Sequence, residues 1–220
     1  TLTEIMGTRK VTDGRSTFEL NSSISAAEGE QLARWLAEIK PDRYLEVGLA
    51  YLPSTLIMAA AFPRSTFVGF DYHVPSVEQA TQAAERAGLA ARVRFEVASA
   101  KGFPGRGYDL VTMFDCLHDM GDPVGAAAHV REALHKDGHW LIVEPFANDR
   151  LEDNLNPVGR IFYSASTFIC TPASRAQEVG LCLGAQAGEA RLRQVASQGG
   201  FARFRRATET PFNLVYEARP

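Results

Sequence analysis

The chain has 220 residues, 45% of them hydrophobic and 22% charged, with a formal net charge of −3. That length suits one ordinary domain that buries well over half of its unfolded surface without staples, and the slightly acidic balance argues against nucleic acid as a partner. No apolar run approaches the ~18 residues of a membrane span, and the N-terminus lacks the charged, apolar and small-residue order of a secretory leader; no membrane partner and a cytoplasmic location are expected. Cys116, Cys170 and Cys182 are odd in number, far apart and outside any CxxC spacing, so they read as reduced thiols.

Residues 1–24 hold an Asp13-Gly14 turn between short β-like runs and read as an arm or small hairpin on a single domain spanning 1–220. Ser25 and Glu28 form a capping box, and the helix it opens carries Leu32, Leu36 and Ile39 on one face until Pro41 stops it. Residues 44–48 form the first strand of the main sheet, Gly48 to Leu52 a turn, and Pro53 opens a helix ending near Phe62. A second strand covers 66–71. Ser76 and Glu78-Gln79 suggest a second capping box, with Val77, Ala80, Ala84 and Ala87 on the buried face of a helix that Gly88 ends. A third strand follows at 93–98.

After a Gly/Pro-rich connection, residues 108–114 form an unbroken apolar run of the kind buried on both faces of a sheet. Asp122 and Pro123 begin a helix that Gly138 is expected to close, and residues 139–143 give a fifth strand ending at Glu144-Pro145. From 146 to about 188 the βα rhythm stops. A stretch this long predicts a lid or substrate wall, or extra helices packed on the core. Its Phe162, Tyr163 and Phe168 suit an apolar or aromatic compound. The runs 201–207 and 212–218 are joined by too short a turn for a parallel crossover and must be antiparallel. The Arg203, Arg205, Arg206 cluster on the first of them reads as a solvated edge.

The fold class expected is therefore α/β: a doubly wound, mostly parallel seven-stranded sheet with a C-terminal antiparallel hairpin. Ligands of such sheets bind at the C-terminal strand edge, where Glu46, Asp71, Asp115 and Glu144 all fall. Gly48 and Asp71 stand at about the ~20-residue spacing at which a carboxylate meets a ribose.

This order of units, with an acid on the first strand and another ending the second, resembles the class I S-adenosylmethionine-dependent methyltransferases. EVGLAYLPST is similar to the loop of catechol-type O-methyltransferase relatives; FDYH, FEVASA, FDCLHDMGDP and VEPFANDR resemble a bacterial group that often carries a winged-helix domain. The resemblance implies S-adenosyl-L-methionine as cofactor and a small-molecule acceptor, and it leaves homodimerisation open. It implies that Glu46 reaches the methionine amino group and that Gly48 and Ala50 let the chain pass close. Asp71 would bond the ribose hydroxyls and Tyr72 pack on the adenine. Ser99 and Ala100 would lie at the adenine edge, and Asp115 and Cys116 would border the sulfonium. The plain alternative for each acid is a solvated strand end.

The chain departs from this pattern at Leu52-Pro53, where the related loops have a second glycine, and at Ser99, where they have an acid. These changes define an alternative: a weakly binding or non-catalytic protein with a degenerate cofactor loop. A nicotinamide oxidoreductase would want G-x-G-x-x-G, of which only the first position is met.

Methyl transfer needs alignment above all, together with a base for an oxygen or nitrogen acceptor. His118 is the candidate base, with a histidine that only holds its own loop as the plain alternative. Asp119 and Glu144 are weaker candidates for the base, and Glu144, Phe162, Tyr163 and Phe168 are placed at the substrate. His73 reads as structural or cofactor-adjacent, and His129, His135 and His139 as surface residues of the following helix and its exit. No metal is expected, although Asp115, Glu144 and Asn148 offer oxygen ligands.

Overall fold

A computed structural model of the chain describes residues 10–12, 17–19, 34, 36–49 and 54–220. Ser25, Glu28, Leu32, Ala50, Leu52 and Pro53 lie outside the described residues.

The chain forms two compact units, Thr1–Val111 and Thr112–Pro220. In the first, β1 (Lys10–Thr12) and β2 (Thr17–Glu19) pair antiparallel, and the Asp13-Gly14 turn lies outside the described residues. Residues 36–39 are helical, with Leu36 buried. Next come β3 (Arg43–Val47), α1 (Ser54–Ala61), β4 (Thr66–Asp71), α2 (Val74–Arg86), β5 (Val93–Val97) and β6 (Tyr108–Phe114), the last of which runs on into the second unit. β3 pairs parallel with β4, and β4 parallel with β5.

The apolar runs make this sheet because their side chains are wanted on both faces: Tyr44, Leu45, Val47, Phe67, Val68 and Phe70 are all buried. Gly69 interrupts the bulk of β4 because Phe95 and Leu49 fill the space; a Cβ there would come within 2.5 Å of Phe95 Cδ1 and 2.6 Å of Leu49 Cδ2. α1 ends on Arg92, whose guanidinium donates to the carbonyls of Ala59 at 2.7 Å and Phe62 at 3.2 Å. α2 begins at Val74, two residues ahead of the predicted box. Pro75 sits in its first turn, and the Ser76 hydroxyl bonds His73 Nδ1 at 2.8 Å inside the helix instead of capping it.

The second unit contains a 3₁₀ turn (Leu117–Asp119), α3 (Pro123–Ala133) and β7 (Leu134–Pro145). Asp122 caps α3 by accepting from Gly125 N at 2.8 Å. The helix ends at Ala133 and not at Gly138, because the backbone turns extended at Leu134 and Gly138 lies within β7. His139 is accordingly no surface residue: it is half-buried and bonds Glu217 at 2.5 Å. β8 (Arg203–Glu209) and β9 (Asn213–Arg219) pair antiparallel, and β9 is antiparallel to β7. Arg205 is paired with Glu217, and Arg206 with Glu189 and Glu209. The main sheet runs β5-β4-β3-β6-β7-β9-β8, the α/β class with its C-terminal hairpin as expected.

Residues 146–188 are mostly helical. A 3₁₀ turn (Leu151–Asn154) leads into α4 (Pro157–Ala165), a π-helical turn (Ser166–Cys170) and α5 (Thr171–Arg175), and α6 (Gly188–Gln198) follows an irregular stretch. Asn156 caps α4 through Gly159 N, with Pro157 in the first turn. No helix among the described residues is long and apolar enough to cross a membrane.

Candidate active site

In the first unit the tip of β4 is joined to the turn after β3 through Asp71. Asp71 is buried, and each carboxylate oxygen accepts one backbone N–H: Oδ2 from Leu49 and Oδ1 from His73, both at 2.8 Å. A carboxylate has about four lone-pair positions, so Asp71 shapes the turn while keeping capacity to accept from a ligand. Gly48 makes the turn with φ +83° and donates its N–H to Phe70 O at 2.9 Å. Tyr72, beside Asp71, presents a ring that is 79% exposed. The turn after β5 is tied to the same tip: Ala98 N donates to Asp71 O at 3.0 Å, which sets an exposed Ser99 and a half-buried Ala100 next in line.

Glu46 is placed differently from what the resemblance implies. It is buried, and its carboxylate accepts from Ser54 Oγ at 2.5 Å, from Thr55 N at 2.6 Å and from Thr55 Oγ1. The unpaired N–H groups at the start of α1, together with two hydroxyls, take up the acid. Burial raises the Glu46 pKa above its usual range, and these bonds draw it part of the way back.

In the second unit the chain leaving β6 passes Asp115, at φ +46°, whose Oδ1 accepts from Asn213 Nδ2 at 2.8 Å, and a half-buried Cys116. His118 follows, buried, with Nδ1 at 2.5 Å from Glu144 Oε2 and Nε2 at 3.3 Å from Asp119 Oδ1. Glu144 is buried at the end of β7, and its other oxygen accepts from Leu117 N at 2.9 Å. It therefore supports the imidazole and is not an open wall. Burial alone would lower the His118 pKa, but the Glu144 charge, a hydrogen bond with the Cys170 thiol and the nearby Asp119 outweigh it and raise it to about 11. The pairing favours the imidazolium.

Asn148 donates its backbone N–H to Asn154 Oδ1 and its side-chain amide to Asp153 O. Phe162 and Tyr163 are half-buried on α4, and Phe168 on the π-helical turn is 80% exposed. Sequence reasoning missed Cys170, Ser174 and Gln177. Ser174 Oγ donates to Met120 O, Gln177 donates to Asp119 O and accepts from Gly121 N, and Gly184 N donates to His118 O. These bonds clamp the 118–121 turn from segments far along the chain. No local motif announces them.

A sequence model of the methyltransferase domain matches residues 48–199. The chain belongs to the methyltransferase-domain family. No curated protein matches its sequence. Among solved structures, this methyltransferase domain is similar to mitomycin 7-O-methyltransferase MmcR, at 17% identity and a TM-score of 0.64 over 89% of the chain and 57% of that protein. It is likewise similar to human N-acetylserotonin methyltransferase in complex with S-adenosylmethionine, at 16% identity and a TM-score of 0.66 over 88% of the chain and 52% of that protein. The chain thus spans little more than half the length of these two. It covers 98% of the YcgJ protein of Bacillus subtilis, at 16% identity and a TM-score of 0.61 over 86% of its own length. At these identities the likeness is one of fold.

Proposed function

We propose that the chain is an S-adenosylmethionine-dependent methyltransferase acting on a small molecule. Asp71 carries this reading: a buried carboxylate at a strand tip, oriented by two backbone donors, still has lone pairs for a diol. The nucleoside half of the cofactor fits here, with Asp71 for the ribose and the exposed ring of Tyr72, Ser99 and Ala100 for the adenine. Glu46, already bonded to Ser54 and Thr55, does not fit as acceptor for the amino group; its part is to fix the start of α1 and so the loop between. Gly48 lets that loop turn in the left-handed region.

S-adenosylmethionine, when bound, supplies a methyl group on an activated sulfonium. His118 would take the acceptor's proton at Nε2, since Nδ1 is held by Glu144. Glu144 fixes the ring and stabilises the imidazolium that results, as a carboxylate does in a hydrolase triad. Because the Glu144 charge favours the imidazolium, the ring serves as base only after Nε2–H has passed to water, and it regains a proton from the acceptor as the methyl is transferred. The named activities of the neighbours, a 7-O-methyltransferase for mitomycin and a methyltransferase for N-acetylserotonin, support an oxygen on a small organic compound as acceptor. Asp115 and Cys116 would border the transferred group.

Incubation with S-adenosylmethionine and a panel of phenolic and quinone metabolites tests the activity. Formation of S-adenosylhomocysteine that depends on one of the acceptors supports it; a chain that binds the cofactor yet methylates none of a broad panel argues for the non-catalytic alternative.

A further inference from the structure

His118 Nε2, an Asp119 carboxylate oxygen and Cys170 Sγ lie within 4.8 Å of one another. They come from two elements, the 3₁₀ turn after β6 and the end of the π-helical turn, and differ in chemistry: an imidazole nitrogen, a carboxylate oxygen and a thiol sulfur. We propose that these three side chains form a binding site for a borderline-soft divalent cation of the zinc type, with the fourth coordination position open.

Four observations carry this. The 3.3 Å between His118 Nε2 and Asp119 Oδ1 is about the separation, ~3.3–3.5 Å, of two ligands on one tetrahedral ion with ~2.0–2.1 Å bonds. Asp119 Oδ1 is buried and makes no hydrogen bond, its ion-pair neighbour being His118 Nε2 at 3.3 Å, so a cation that displaces the Nε2 proton would take the place of that pairing. Glu144 bonds the opposite ring nitrogen of His118, the carboxylate–histidine arrangement that orients an imidazole toward a metal. Cys170 is buried at the end of a single π-helical turn, a feature frequent at functional sites. A nitrogen, oxygen and sulfur set selects zinc-like ions over magnesium or calcium, which demand oxygen. Three protein ligands and an open position describe an exchangeable site, in contrast to a closed structural one.

The consequence for turnover rests on the proposed role of His118, whereas the binding itself does not. One lone pair on Nε2 cannot hold both a cation and a proton, so the ion would silence the base.

Cobalt(II) titration of the whole chain tests the site, because a cobalt–thiolate bond gives a charge-transfer band in the near ultraviolet. One equivalent bound with that band is expected. Cys170→Ser should abolish the band, Glu144→Gln should weaken binding about 10–100-fold, and Cys182→Ser, whose thiol bonds Thr171 O and Gly180 O, should leave both unchanged. Absence of the band in the parent chain, or its survival in Cys170→Ser, overturns the proposal. Calorimetry with S-adenosylhomocysteine on the same samples reports folding and separates the two readings. A chain that binds the nucleoside but no cobalt refutes the cation site alone, and one that binds cobalt but no nucleoside refutes the cofactor reading alone.

Discussion

The Glu144 carboxylate holds the loop after β6 at two points, accepting from the His118 ring at 2.5 Å and from the Leu117 backbone at 2.9 Å. Glu144→Ala therefore leaves a buried imidazolium with its main counter-charge gone and an N–H unsatisfied. A loss of about 3–5 kcal/mol of unfolding free energy is expected, read from urea denaturation. A change within 1 kcal/mol would mean that the pair contributes little.

His118→Gln separates chemistry from binding. If His118 takes the acceptor's proton, kcat should fall by about 10²–10⁴, while affinity for S-adenosylhomocysteine stays within about twofold. Equal losses in both would assign the residue to holding its loop, the plain alternative.

Different parts of the fold were legible in the sequence to different degrees. β4 and β6 run over the predicted residues because a parallel strand buried on both faces needs an unbroken apolar run, and TFVGFD and YDLVTMF are such runs. The end of α3 was not legible, since no breaker precedes Gly138 and the turn at Leu134 comes from tertiary structure. Asp71 was found from its place at a strand tip, and Glu46 likewise, but the capture of Glu46 by Ser54 and Thr55 depends on how α1 docks. The clamp on the 118–121 turn was invisible for a related reason: Ser174 and Gln177 lie more than 50 residues away in an insertion without a periodic signal.

Gly48 is required by its φ of +83°. Gly48→Ala should cost about 1–2 kcal/mol and weaken cofactor binding by loosening the Leu49 N–H that orients Asp71, both measurable on one sample by denaturation and calorimetry.

Glu46 and Glu217 should leave opposite marks on stability against pH. The folded pKa of Glu46 lies above 4.5, chiefly through burial, so its stabilising contribution is full below that pH and is lost as pH rises through the folded value. Burial also pushes Glu217 up, but the His139 hydrogen bond and the Arg205 charge outweigh it and hold the folded pKa below 4.5. Its contribution is present above 4.5 and is lost as pH falls through the folded value. Relative to the parent, Glu46→Gln should gain stability as pH rises from about 4.5 toward neutrality, and Glu217→Gln should lose stability at neutral pH by an amount that shrinks in acid. Parallel curves for both variants would contradict these assignments.

The most direct measurement is isothermal titration of S-adenosylhomocysteine into the parent chain and into Asp71→Ala. Saturable one-to-one binding that Asp71→Ala weakens at least about tenfold, the loss expected for charge-assisted bonds to a diol, is the predicted result. No binding to the parent, or equal affinity in both, would contradict the account.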